Sequence, residues 1–509
     1  MKRNLLSTGA EWTFELIQTY DQEIARVAKH FNLDTYPNQI EIISAEQMMD
    51  SYASVGMPIG YNHWSFGKHF VGVEQGYKRG EMGLAYELVI NSNPCISYLM
   101  EENSIAMQAL VIAHACYGHN SFFKNNYLFK MWTSADAIID YLVFAKNYIS
   151  QCEEIHGIDE VENILDACHA LMNYGVDRYK HPSPLSIQEE KIRQQNREAY
   201  LESQLNELWR TIPNNKSSDA IEQKPRFPAE PQENILYFIE KNAPLLKPWQ
   251  REIIRIVRKI AQYFYPQSQT KVMNEGWACF WHYTLLHTLY DEGRVSDEFM
   301  LEILQNHTNV VMQLPYNHPY YNGINPYALG YSMMQDIKRI CTNPTPEDEH
   351  WFPHLVHTDW LVTLDNAMRN YKDESFIAQY LSPHLIREFK LFHLIDDDQK
   401  PDLKIHAIHN ESGYQHVREA LSKQYNLGHI DPDIQVYSVD REGDRTLCLH
   451  YMQQNRVPLA SSTIDVLKHI HTLWKFPVVL KTVEPSGSIV TEVHYPPKNH
   501  PTAGLQEQV

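Results

Sequence analysis

Apolar residues recur at three- and four-residue steps over residues 10–32. Trp12, Leu16, Ile17, Tyr20, Ile24, Val27, Ala28 and Phe31 share one face, which predicts an amphipathic helix. Tyr36-Pro37 breaks it, and residues 39–43 read as a short extended piece. Ser44 with Gln47 three positions on is the pattern of a capping box. Residues 56–80 are rich in glycine and aromatics, a loop that either lids the core or lines a cleft. Residues 84–91 alternate like a strand and end at Ser92-Asn93-Pro94. Asn103 or Ser104 then caps a long apolar helix that runs through His114, and residues 122–126 close the segment.

The helical pattern repeats at 135–148 and 159–174. Residues 181–234 change texture: a charged run at 188–197 gives way to a proline-containing Lys/Ser/Asp mix, read as a solvated helix followed by a flexible crossing. Further helices are expected at 249–263 (ended by Pro266), 271–289, 296–311, 326–341, 360–371 and 374–381. After about residue 389 the period shortens. Strands are expected at 403–408, 434–439, 446–451, 478–483 and 489–494, with helices at 414–425 and 462–474. That order, βαββαβ plus a last strand, is that of a ferredoxin-like α+β module. The expected architecture is a mainly α domain with a few short strands over 1–388, followed by a small ferredoxin-like domain over 389–509 with a short disordered tail.

Composition narrows the class. A chain of 509 residues is long enough for two to four domains of about 100–200 residues. Its formal charge of −19, from 63 acids against 44 bases, disfavours nucleic acid and anionic membrane as partners. Seven scattered cysteines, an odd number with no CxxC spacing, fit a reducing compartment better than a disulfide framework. The N-terminus soon meets Glu11 and has no apolar signal region, and no run approaches the ~18 apolar residues of a membrane helix. The expectation is a cytoplasmic protein.

Against that background two stretches carry chemistry. One is Ala113-His114-Ala115-Cys116-Tyr117-Gly118-His119; the other is Asn274-Glu275-Gly276-Trp277-Ala278 with His282 two turns on. Two histidines and an acid are the donors of a zinc-type site. On a regular α-helix His114 and His119 would point about 140° apart, so the pair reads equally well as buried, hydrogen-bonded core histidines unless Gly118 bends the helix. Glu275 and His282 lie about 10 Å apart along a helix axis. Glu275 is therefore assigned as the third ligand, and His282 stands behind it or acts as an acid/base. Small residues around Glu275 would let another helix approach closely. His169, within one turn of Asp166 and Asn173, is a further candidate ligand or proton shuttle. Tyr327, in Asn325-Pro326-Tyr327, is a candidate oxyanion donor. His307 sits in a polar island that could line the same cleft. No Walker A, GxGxxG, GxSxG or zinc-finger spacing occurs.

These residues resemble the stage V sporulation protein R (SpoVR) family. The likeness rests on His114 to His119 with residues 122–126, on Cys168-His169 through Gly175 to Tyr179, on Asn274 to Ala278, and on Gly323 to Tyr327, and it covers nearly the whole chain. It implies a role like that which named the family, in spore-cortex formation. In non-sporulating Gram-negative members it implies work beside an AAA-type serine protein kinase and a von Willebrand A-like (VWA) protein, in stress or stationary phase. The Glu-Gly-Trp-Ala stretch is also similar to the third-ligand helix of gluzincin metallopeptidases, which implies a zincin-related scaffold, but Ala115 stands where those enzymes keep a catalytic glutamate. Two functions remain. The first is a zinc-type hydrolase of peptide or amide bonds, conceivably cell-wall fragments, with His114, His119 and Glu275 on the ion and His169 or His282 moving the proton. The second is a non-catalytic adaptor for the kinase and the VWA-like protein.

Overall fold

The computed structural model describes residues 4–54, 59–78, 87–179, 192, 227–392, 394–395, 404–405, 410–426, 431–453, 459–460 and 462–497. The charged run at 188–197 (Ile192 apart), most of the proposed crossing, His406, His409 and the last twelve residues lie outside them. The chain forms two compact units, Met1–Leu165 with Lys259–Asp431, and Asp166–Arg258 with Pro432–Val509.

Most of the first unit is helical, and its helices start where the sequence places caps. Thr13 caps Phe14–His30, and Ser44 with Gln47 forms the capping box of Ala45–Ala53. Ser104 Oγ accepts from Met107 N at 3.1 Å to open Ile105–Val111. A three-stranded sheet lies beside these helices in the order β1 (Asn38–Ile43), β3 (Cys95–Met100), β2 (Glu87–Ile90). β1 runs parallel to β3, and β2 antiparallel. Asn120 ties the approach to β1 to the helices: its Oδ1 accepts from Tyr36 N and its Nδ2 donates to Tyr36 O.

The centre of this unit is the helix Lys271–Asp291, here the glutamate helix. Thirteen of its residues are buried, on all sides, as expected of a helix apolar around its whole circumference. Its two closest neighbours meet it at glycines. A Cβ at Gly276 would lie 2.3 Å from the backbone of Gly330, on the helix Pro326–Thr342, and a Cβ at Gly118 would lie 2.6 Å from Ala278 Cα. The small residues that promised a close helix approach are the ones that make it.

The N-terminus of the glutamate helix is capped from outside. Thr270 makes no side-chain cap bond; Asp373, at the start of Asp373–Tyr380, accepts from Val272 N through Oδ2 and from Met273 N through Oδ1, both at 2.8 Å. Asp373→Ala would strand two buried N–H groups, and we expect a loss of roughly 2–4 kcal/mol of unfolding free energy. Denaturant unfolding checks this; an unchanged midpoint would mean the cap is not formed.

Three expectations change. The glycine- and aromatic-rich stretch 56–80, read as a loop, holds the helix Trp64–Lys78. The helix Pro248–Gln269 continues through Pro266 instead of ending there, because only about one turn remains beyond the proline. The C-terminal region is α+β but does not follow a ferredoxin-like topology. Within 403–408 only β5 (Lys404–Ile405) is described as strand; it pairs with β4 (Leu394–Ile395), and helix Glu411–Gln424 belongs to the first unit, where Ser422 Oγ donates to Glu374 O at 2.8 Å. The second unit holds a four-stranded sheet in sequential order, β6 (Ile434–Val439), β7 (Leu447–Met452), β8 (Val478–Val483), β9 (Ile489–Tyr495). A split βαβ places another strand between its parallel pair, whereas β7 and β8 are direct neighbours joined by the crossover helix Thr463–Trp474.

Candidate metal centre

Three elements of the first unit converge. Between Ile105–Val111 and Asn120–Asn125 the chain is a π-helix, Ile112–His119. Its i→i+5 bonding brings residues five apart onto one face, which a regular α-helix does not. His114 and His119 therefore lie side by side with ring centroids 4.7 Å apart. The divergence expected from α-helical spacing is thus removed by the backbone itself, and Gly118 makes its contribution by admitting the glutamate helix.

Both Nε2 atoms face two carboxylates. Glu275 Oε2, on the glutamate helix, is 3.7 Å from His114 Nε2 and 3.5 Å from His119 Nε2. Glu87 Oε1, on β2, is 3.3 Å from His114 Nε2 and 3.9 Å from His119 Nε2. Among the described residues Glu275 Oε2 and Glu87 Oε2 are buried without a hydrogen-bond partner, a costly arrangement for carboxylates. Donors around one tetrahedral ion at about 2.0–2.1 Å would be about 3.3–3.4 Å apart. The four His–Glu separations cluster at or just above that value. The two carboxylate side chains keep 17% of their exposure.

The outward nitrogens are fixed. His119 Nδ1 donates to Asn274 Oδ1 at 2.9 Å, leaving its Nε2 lone pair for the cluster. His114 Nδ1 lies 2.8 Å from His282 Nδ1, and His282 Nε2 lies 2.7 Å from His307 Nδ1. Burial pushes His119 down to about 4 despite the charge of Glu275, and pushes His307 to about 4. His282 is driven well below its ordinary value by burial and by the neighbouring histidines. Burial would lower His114 too, but the charge of Glu87 and its contacts with Cys279 and Glu275 lift it well above. Glu87 is pushed up to about 7 by burial, opposed by His114. For Glu275 burial is outweighed by His119, His114 and the hydroxyl of Tyr327, which hold it below the usual carboxylate range. Burial and the charge of Glu275 raise the Tyr327 phenol, which stays protonated.

A second grouping shares His114: Cys279 and His282 lie within reach of it. The group Glu87, His114 and His119, with Glu275 Oε2 beside both histidines, is the better ion site. Both nitrogens of His282 are already hydrogen-bonded, and the group with Cys279 holds no carboxylate. Two imidazoles with two carboxylates suit a divalent transition metal.

Of the residues singled out from sequence, His114, His119, Glu275, His282 and Tyr327 come together. His169 falls in the other compact unit. Glu87 was not singled out; its signal is a lone acid at the head of the apolar run Leu88-Val89-Ile90.

The model of the SpoVR like protein family matches residues 11–430, and that of the SpoVR-like C-terminal domain matches 432–485. The uncharacterized protein YcgB of Escherichia coli (strain K12) is 62% identical over 493 residues, 97% of each chain. No solved structure matches the chain.

Proposed function

The chain belongs to the SpoVR family, and from that premise we propose that its first unit is a metal-dependent hydrolase of peptide or amide bonds with one zinc-type ion. The observation that carries the reading is the set of four His–Glu separations of 3.3–3.9 Å, with one oxygen of each carboxylate buried and, among the described residues, lacking a hydrogen-bond partner. His114, His119 and Glu275 would hold the ion. Glu275 is the acid most rigidly placed, because Gly276 and Ala278 clamp its helix on both sides.

Such an ion supplies a Lewis acid for a carbonyl and lowers the pKa of water toward about 7. Glu87 then takes the place that Ala115 leaves without a carboxylate, and receives the proton of the attacking water from the strand side. Tyr327, protonated and beside Glu275, is placed to donate to the oxygen that gains charge. His282 orients His114 instead of exchanging protons with substrate. His169 has no part in this reading. A zincin relationship is proposed on the same grounds, with the π-helical five-residue spacing replacing HExxH and the base moved to β2.

One observation favours the second reading. Counted with Glu87, the donor set has four members, the closed complement of a structural ion. The ion would then fasten β2 to the two helices, and the chain would act as an adaptor for the serine protein kinase and VWA-like protein.

Glu87→Gln separates the two. Under the hydrolase reading the variant keeps its ion and loses about 10²–10⁴-fold of zinc-restored cleavage of a fluorogenic peptide and amide library. If the ion leaves with the carboxylate, Glu87 is a ligand and the adaptor reading gains.

A further inference from the structure

We propose that His307 is a positioning residue that locks the tautomer of His114 through His282; this rests on the metal reading above. The three rings form one buried line. His114 Nδ1 meets His282 Nδ1 at 2.8 Å, and His282 Nε2 meets His307 Nδ1 at 2.7 Å. His282 is 1% exposed and His307 5%, so water does not compete for these bonds.

Each bond holds one proton, and the order of protons has one solution if His114 is a ligand. His114 must present a bare Nε2 to the ion, so its proton sits on Nδ1 and is donated to His282 Nδ1. His282 Nδ1 then accepts, which places the His282 proton on Nε2, donated to His307 Nδ1. Without an acceptor at 307, His282 loses the reason to carry its proton on Nε2. It can turn to the other tautomer, donate from Nδ1 to His114 Nδ1, and drive the His114 proton onto Nε2, where it blocks the donor. The ring of His307 is itself held edge to face against Tyr331 at 4.7 Å and tilted beside Tyr283 at 5.0 Å, so Nδ1 is fixed in direction. His307 lies on Asp297–Val310, and its hydrogen bond toward the π-helix runs through His282.

The test compares His307→Leu with His307→Asn. Asn carries Oδ1 where the imidazole carries Nδ1, so it can accept from His282; Leu cannot. Zinc affinity is measured by competition with a chromophoric chelator, with the metal-free unfolding midpoint of each variant as a folding control. We expect Leu to weaken zinc binding about 10–100-fold, the usual cost of losing an orienting partner, and Asn to restore most of it. Equal affinity in the wild-type and Leu proteins overturns the proposal, as does an equal loss in Leu and Asn, which would mark a packing role. A wild-type protein that binds no zinc overturns the metal reading beneath it, and this inference with it.

Discussion

Gly330→Val is expected to leave the chain without a folded first unit, and Gly330→Ala to cost upward of about 3 kcal/mol. A Cβ at 330 would stand 2.0 Å from Val272 O and 2.8 Å from Gly276 Cα. Those are backbone atoms of the glutamate helix, so no side chain can turn aside to relieve them. The helix must move away, and with it Glu275 and the buried face formed by Val272, Met273, Trp277 and Phe280. A domain stable by about 5–15 kcal/mol has little room for that loss plus the packing it drags along. Gly9→Ala is the matched control, since a Cβ there meets nothing within 4 Å. Solubility and denaturant unfolding report the outcome. Wild-type behaviour of Gly330→Ala would mean the two helices do not cross at these glycines.

His114→Ala is expected to reduce bound metal from one ion per chain to a trace, a fall in affinity beyond the ~100-fold that loss of an orienting partner costs. The substitution removes a ligand that Glu87, Glu275 and His282 all meet. Because an ion bound to the folded chain stabilises it, a chelator should lower the unfolding midpoint of the wild-type protein and leave that of His114→Ala where it is. If both midpoints respond alike, the chelator acts elsewhere.

Where the sequence speaks through local chemistry, it was legible. Ser44 with Gln47 and Ser104 are short-range signals, and the helices they cap begin at the next residue; the periodic runs at 10–32, 135–148 and 414–425 start three or four residues away from the helices Phe14–His30, Ile138–His156 and Glu411–Gln424. The ligand candidates were legible as residue types, and Gly276 and Ala278 as a point of close approach. Their convergence was not. The five-residue spacing of His114 and His119 is unfavourable on an α-helix, and no residue in Ile112–His119 announces that the ladder shifts to i→i+5 there; the tertiary crossing at Gly118 against Ala278 accompanies it. Glu87 was hidden for a related reason: in a four-residue strand a single acid looks like an ordinary exposed position, and only the pairing of β2 with β3 turns it toward the histidines. The ferredoxin-like expectation followed element order, which does not specify which strands are neighbours; adjacency of β7 and β8 is a matter of packing across the sheet.

The central claim is that the two histidines of the π-helix and the carboxylates of Glu275 and Glu87 surround one metal ion. X-ray absorption on the purified, zinc-loaded full-length protein tests it most directly. We predict one zinc per chain with a shell of nitrogen and oxygen at about 2.0–2.1 Å and no sulfur. A sulfur neighbour at about 2.3 Å would place the ion on Cys279 and His282 instead, and no stoichiometric zinc would contradict the account altogether.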